Sequence, residues 1–170
     1  MQYEISSRDY IIESFFILIK NKKMDDISIQ EICNKAGVSR VTFYRNFKNK
    51  FDIIDGYFST AIKKFIINLS ITTNNNSYEV IAKETFNMLF KEKDNFKALI
   101  NNNLAYLYLD LLNFYFVKDK EHMGFKNDII AEIYAGALYN ISTQWVLDNC
   151  KTPIPEMIKS FFTICNFKGE

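Results

Sequence analysis

Two short segments with strong helix start signals, joined through a single glycine, constrain the fold of this chain most. In the first, Ser28 can cap a helix, Glu31 can reach back to the cap amide, and Ile27 can pack on Ile32. Gly37 then stands where a left-handed residue terminates a helix. The sequence therefore predicts a very short helix that depends on neighbouring helices for its stability.

The second short segment begins immediately after this glycine. Ser39 is another candidate cap, and residues 40–46 continue as a helix. Upstream, Ser6 or Ser7 can cap a longer helix with Asp9 in its first turn. Two short helices joined by a glycine-containing turn of about three to four residues form a helix-turn-helix. Its predicted core consists of Ile12, Phe16, Ile19, Ile32, Val38, Phe43 and Phe47.

The second short helix then turns six side chains outward, and their chemistry suits the reading of DNA. Arginine pairs with guanine, small apolar groups contact thymine methyls, and hydroxyls bind phosphate. No acid occurs between Glu31 and Asp52, and residues 1–50 carry nine Lys/Arg against six Asp/Glu, a net charge of +3. A solvated basic face and a core position for the tyrosine remain the alternatives. The six residues are Arg40, Val41, Thr42, Tyr44, Arg45 and Asn46.

A further helix restarts after this segment. Asn49 can cap it, with Asp52 in its first turn, and Lys50 then lies at an amide-rich helix N-terminus. There the ammonium charge and the helix dipole would together attract a phosphate. Ser28 offers a similar anchor at the start of its own helix.

Residues 8–54 resemble the DNA-binding domain of the tetracycline-repressor (TetR/AcrR) family. The resemblance is densest over residues 29–50, IQEICNKAGVSRVTFYRNFKNK. One departure is Lys23, which stands where the family usually has glycine, so a left-handed residue there would cost up to ~1 kcal/mol or the turn differs. Two others, Asn46 and Lys48, stand where an aromatic or histidine and a proline are common. By position, the resemblance implies backbone contacts from Ser28, Thr42, Tyr44 and Lys50, and base contacts from Arg40, Val41, Arg45 and Asn46. The cap Ser39 completes the set of residues that we expect to bind DNA.

The rest of the chain predicts further helices. Only five Gly and two Pro occur, and apolar residues recur at helical spacing through long stretches. We expect an all-α protein of about nine helices, with a helix-turn-helix domain over 1–48 and a helical ligand-binding and dimerisation domain over 49–170.

A palindromic double-stranded operator and a homodimer follow from the geometry of reading, because two short helices must lie about 34–36 Å apart to reach successive major grooves. The resemblance implies that the last two helices form the dimer interface. The residues we assign to it are Ile133, Ala137, Ile141, Met157, Ile158, Phe161 and Phe162.

The resemblance also implies a small-molecule inducer bound among helices four to eight. Aromatic side chains there are candidates for its pocket, although ordinary core positions are the competing interpretation. These residues are Phe86, Tyr106, Tyr108, Tyr115, His122, Tyr134 and Trp145. We expect no metal and no cofactor, because a single histidine and three widely spaced cysteines provide no ligand motif.

No catalytic motif, secretion signal or membrane-spanning run is visible, so the sequence predicts a cytoplasmic, non-enzymatic protein with no membrane partner. Three functions remain open. The first is a repressor released by a ligand, the second is a regulator or coactivator controlled by a protein partner, and the third is a DNA-binding organiser outside transcription.

Overall fold

The computed structural model describes residues 6–72, 78–118 and 127–165, and these ranges contain helices but no strand. The prediction of an all-α protein with about nine helices is confirmed. In chain order the helices are α1 (Ser7–Ile19), α2 (Ile29–Ala36), α3 (Arg40–Asn46), α4 (Lys50–Thr72), α5 (Tyr78–Lys91), α6 (Lys93–Asn101), α7 (Tyr106–Asn113), α8 (Asp128–Leu147) and α9 (Ile154–Cys165). A short 3-10 helix covers Met24–Asp26, and a π-helical turn follows α7 at Phe114–Lys118.

The chain divides into two compact units inside α4, between Lys63 and Lys64. The first half of α4 is therefore part of the N-terminal unit. The domain boundary expected from the sequence, between residues 48 and 49, lies just before α4 begins at Lys50.

Helix α1 is held at its start by a complete capping box. The Ser6 hydroxyl accepts from the Asp9 amide, and the Asp9 carboxylate accepts from the Ser6 amide at 3.1 Å. Of the two serines considered from the sequence, Ser6 is therefore the cap. The predicted core needs one correction on this helix, because Ile12 is only half-buried whereas Ile11 is fully buried. The buried face of α1 consists of Ile11, Ser14, Phe15, Phe16 and Ile19.

The turn after α1 does not use a left-handed residue. Lys23 has φ −70° and ψ 143°, which is extended backbone, and it leads into the 3-10 helix at Met24. The turn therefore differs from one built on glycine, and Lys23 carries no left-handed strain. Met24, the first residue of the 3-10 helix, and Ile27, the residue after it, are both buried.

The second unit is a set of helices packed on α8. Helices α5, α6 and α7 all contact it, and α9 packs on α5. The ring of Trp145 lies edge-on to Phe86 at 5.4 Å, and its indole N–H donates to the Thr152 carbonyl at 2.8 Å. These contacts tie the end of α8 to α5 and to the segment before α9. None of the described helices is long and apolar enough to span a membrane.

Candidate nucleic-acid interface

Helix α2 is defined at both ends by the residues that the sequence indicated. The Ser28 hydroxyl accepts from the Glu31 amide at 3.1 Å, and Gly37 ends the helix in the left-handed region, at φ 66°. The sequence also predicts that the Glu31 side chain reaches back to the cap amide. In the structure the Glu31 carboxylate pairs instead with Lys22 Nζ at 2.5 Å. Ile27 and Ile32 are both buried, as expected for a hydrophobic staple.

Helix α3 follows α2 after three residues and is anchored by aromatic side chains. The Ser39 hydroxyl accepts from the Thr42 amide at 3.1 Å and shares a 3.0 Å hydrogen bond with the Thr42 hydroxyl. Phe43 and Phe47 are buried, and Phe43 meets the Tyr44 ring edge-on at 5.4 Å. Because α3 contacts both α1 and α2, its inner face is fixed and the rest of its surface is presented outward.

The outward surface of α3 carries the residues predicted to read bases. Val41 is 80% exposed and Tyr44 is 49% exposed, which places Tyr44 outside the core. Arg40 and Arg45 are exposed, and the Arg40 guanidinium lies 5.9 Å from the centroid of the Tyr44 ring. Asn46 is only half-buried, and its side-chain amide donates to the Thr42 carbonyl at 2.8 Å. We name the six residues Arg40, Val41, Thr42, Tyr44, Arg45 and Asn46 the α3 ridge.

The start of α4 is capped as the sequence predicts. Asn49 Oδ1 accepts from the amides of Phe51 at 2.8 Å and Asp52 at 3.1 Å. The Asp52 carboxylate accepts from the Lys48 amide at 2.7 Å, which places an acid at this helix N-terminus. The ammonium of Lys50 points into the domain and donates to two main-chain carbonyls, so it is not simply an exposed phosphate anchor.

Sequence reasoning missed a contact that joins α1, α4 and the residue after α3. The Arg8 guanidinium lies 5.2 Å from the Phe47 ring centroid, and a Cβ placed on Gly56 would lie 2.6 Å from Arg8 Nη2. Gly56 therefore makes room for the arginine. A glycine inside the helical period of α4 was the only signal in the sequence that could have indicated this close approach.

The seven predicted pocket residues are placed differently from one another. Four are buried in the second unit, where they serve as core as well as candidate lining: Phe86, Tyr108, Tyr134 and Trp145. Tyr115 is half-buried, and Tyr106 is 48% exposed at the start of α7. His122 lies outside the described residues.

Within the described part of the chain, one buried side-chain polar atom has no hydrogen-bond partner, and it is the Tyr108 hydroxyl. Burial strongly raises the pKa of Tyr108, and the neighbouring Ser142 hydroxyl lowers it by less. Ser142 donates its own proton to the Leu138 carbonyl, and its oxygen lies near the Tyr108 hydroxyl without hydrogen-bond geometry.

The predicted dimer residues include both exposed and buried side chains. Ile133 is 52% exposed on α8, whereas Phe161 is buried and lies edge-on to Tyr134 at 5.1 Å. The other five are partly exposed: Ala137, Ile141, Met157, Ile158 and Phe162.

A short capped helix projecting charged, polar and apolar side chains, beside a second helix across a tight turn, defines a helix-turn-helix DNA-binding protein. Residues 11–56 match the family model described as bacterial regulatory proteins, tetR family. The matched segment, residues 11–56, is therefore a DNA-binding domain of the tetR family.

Solved structures with the same fold span nearly the whole chain. The fatty acid degradation regulator FadR from Bacillus halodurans superimposes with a TM-score of 0.67 at 18% identity, covering 96% of each chain. NalD from Pseudomonas aeruginosa, a secondary repressor of the MexAB-OprM multidrug efflux pump, gives 0.65 at 16% identity over 94% of this chain and 93% of its own. The dihydroxyacetone kinase operon activator DhaS gives 0.65 at 14% identity and covers 95% of each chain. No curated protein matches the chain in sequence.

Proposed function

We propose that the protein binds a palindromic operator as a homodimer, reads it with the α3 ridge, and represses transcription until a small molecule binds the second unit. The observation that carries the DNA-binding proposal is the exposure of the α3 ridge. The ridge stands on two buried phenylalanines, so its residues point outward from a fixed base. Operator, dimer and inducer are separate parts of the proposal, and each has its own test.

The base contacts are assigned to the exposed part of the ridge. Arg40 and Arg45 can each pair with guanine, and the Val41 side chain can contact a thymine methyl. The Tyr44 ring restricts the Arg40 guanidinium through a cation–π contact, which reduces the conformational entropy lost when it binds a base. Asn46 can still accept or donate at its other groups, while its amide bond to Thr42 holds its orientation.

The hydroxyl groups of this domain are assigned to the DNA backbone. The Ser28 oxygen accepts in its helix cap, which leaves the Ser28 O–H able to donate to phosphate. The Ser39 and Thr42 hydroxyls share one hydrogen bond, so one of their two protons remains for a phosphate. The hydroxyls of Thr42 and Tyr44 lie on α3, the same helix as the residues proposed to contact bases. Lys50 belongs to the predicted backbone set as well, although its ammonium has partners inside the domain.

Selection of bound duplexes from a random pool tests the DNA proposal. The expected product is a site with two-fold symmetry, and Arg45→Ala should reduce the preference for it over random duplex by about 1–3 kcal/mol. The matched control is Lys35→Ala, which removes an exposed positive charge on α2 and not on the ridge. Failure to recover any preferred sequence at low salt would refute the proposal, and equal effects of the two substitutions would refute the role of Arg45.

The ligand proposal rests on the aromatic residues of the second unit, Phe86, Tyr106, Tyr108, Tyr115, His122, Tyr134 and Trp145. Tyr108 stands out among them, because its buried hydroxyl has no partner and could bond to a ligand acceptor. A ligand that binds more tightly to the conformation unable to bind the operator would shift the equilibrium away from the DNA-bound state.

Thermal unfolding against a panel of metabolites and drugs tests this part. A true effector at 100 times its dissociation constant should add about 2.7 kcal/mol of stability. The same compound should lower operator affinity, and in a reporter strain it should raise expression from the operator. A compound that stabilises the protein and strengthens operator binding would instead indicate an activator or corepressor mechanism.

A further inference from the structure

The ammonium of Lys50 holds the turn that leads into α2. Lys50 is the first residue of α4, and its Nζ donates to the Met24 carbonyl at 2.5 Å and to the Ile27 carbonyl at 2.9 Å. The side chain is half-buried. Two of the three ammonium protons are therefore committed to main-chain oxygens inside the domain.

These two carbonyls mark the beginning and the end of the 3-10 turn. The Ile27 amide donates to the Met24 carbonyl at 3.2 Å, and Ser28, the cap of α2, is the next residue along the chain. Ile27 is therefore the residue through which this turn joins the cap of α2. A charged donor that bonds to both ends therefore fixes the entry into α2 relative to α4.

We propose that Lys50 is a positioning residue, which sets the orientation of α2, and of α3 packed against it, before DNA is bound. This inference rests on the proposed DNA-binding role of the α3 ridge and states how that ridge is held in place. The competing interpretation is that Lys50 acts mainly by direct attraction of a phosphate. The two interpretations differ in what the free protein does when the ammonium is removed.

Hydrogen exchange of the full-length protein without DNA is the first test. In Lys50→Met, the amides of Glu31 and Ile32 should exchange at least about tenfold faster than in wild type, because the start of α2 loses its tether. Lys48→Met is the matched control, since it removes an exposed positive charge two residues away and should leave these amides unchanged. Protection of the α1 amides reports global stability and should change less than protection in α2.

Lys50→Arg keeps the positive charge but changes the geometry of the donor group. It provides the same hydrogen-exchange test if Lys50→Met does not fold. Arginine binds phosphate at least as well as lysine. A longer, planar guanidinium is not expected to bridge the same two carbonyls, so α2 exchange should rise although the charge remains.

Binding to the selected site and to random duplex is the second test. A positioning role predicts that Lys50→Met loses at least about tenfold more affinity for the selected site than for random DNA. A phosphate contact predicts equal losses on both, with the salt slope reduced by about 1.

Unchanged α2 exchange in Lys50→Met and Lys50→Arg would overturn the inference even if the protein binds DNA. Failure of wild type to select any site would refute the proposed function and leave the exchange result standing.

Discussion

The guanidinium of Arg8 lies 5.2 Å from the centroid of the Phe47 ring. Arg8 is in the first turn of α1, and Phe47 is the residue that ends α3. Gly56 of α4 completes the arrangement, because a Cβ there would lie 2.6 Å from Arg8 Nη2 and 3.0 Å from Phe47 Cε1. Residues from α1, from the end of α3 and from α4 therefore share one contact.

The effect of Gly56→Ala on the free energy of unfolding should change sign when Arg8 is removed. In wild type the new methyl group must displace Arg8 and shift Phe47, and we expect a net loss of stability of about 0.5–1 kcal/mol. In an Arg8→Ala background the closer obstacle is gone and the Phe47 ring can shift into the vacated space. Alanine should then gain from its better helix propensity, by up to about 1 kcal/mol. Chemical denaturation of the four proteins gives the coupling energy.

Arg8→Ala alone should cost about 0.5–1 kcal/mol, the usual size of a partly exposed cation–π contact. A coupling energy between positions 8 and 56 close to zero would contradict the described packing. Glu13→Ala is a suitable control, because Glu13 is an exposed residue of the same helix.

Gly37 offers a test of backbone conformation without a steric effect. Its φ of +66° is left-handed, and a Cβ at this position would meet no atom within 4 Å. Gly37→Ala should therefore cost about 1 kcal/mol for conformational reasons alone.

Gly37→Asn should cost less than half as much as Gly37→Ala, because asparagine tolerates the left-handed region. Both free energies come from denaturant unfolding of the full chain. Equal losses for the two substitutions would show that the turn between α2 and α3 does not depend on the conformation of residue 37.

The parts of the site that the sequence predicts correctly are those governed by local chemistry. Ser28, Gly37 and Ser39 act within three or four residues of their partners, so their roles follow from spacing. The contacts that escaped prediction join residues far apart in sequence. Lys50 bonds to carbonyls more than twenty residues away, and no pattern in the sequence indicates this.

Small differences in packing account for the remaining corrections. Ile11 and Ile12 are both apolar and adjacent, and periodicity alone does not decide which one faces the core of a helix that is apolar on several sides. The Glu31 side chain had two partners within reach, and it pairs with Lys22. Such choices depend on the tertiary arrangement and not on helix propensity.

Ile133 tests the proposed homodimer. Its side chain is 52% exposed on α8, and Ile133→Glu would place two unpaired charges in a symmetric interface. We expect the dimer dissociation constant to rise at least about a hundredfold, which corresponds to about 2.7 kcal/mol. Sedimentation over a range of concentrations measures it.

Tyr106→Glu is the matched control for this substitution. Tyr106 is 48% exposed, so a similar apolar area is replaced by a charge on α7, outside the proposed interface. It should leave association unchanged. A wild-type protein that remains monomeric at micromolar concentration, or a control that dissociates as readily as Ile133→Glu, would contradict the proposed surface.

Tyr108→Phe should leave the protein at least as stable as wild type at neutral pH. The buried hydroxyl has no partner, so its removal relieves a desolvation cost, and we expect a gain of up to about 1 kcal/mol. Tyr106→Phe serves as the control, because a largely solvated hydroxyl contributes little.

The same residue predicts the alkaline behaviour of the protein. Burial raises the pKa of Tyr108 above its usual value of 10, so above about pH 10 the unfolded chain releases this proton while the folded chain keeps it. The unfolded state then binds fewer protons, and stability falls with rising pH by up to about 1.4 kcal/mol per pH unit. The contribution is fully present below pH 10, and it disappears in Tyr108→Phe. Unfolding free energies of wild type and Tyr108→Phe that fall in parallel between pH 9 and 11 would show that the Tyr108 hydroxyl is accessible to water in the folded protein.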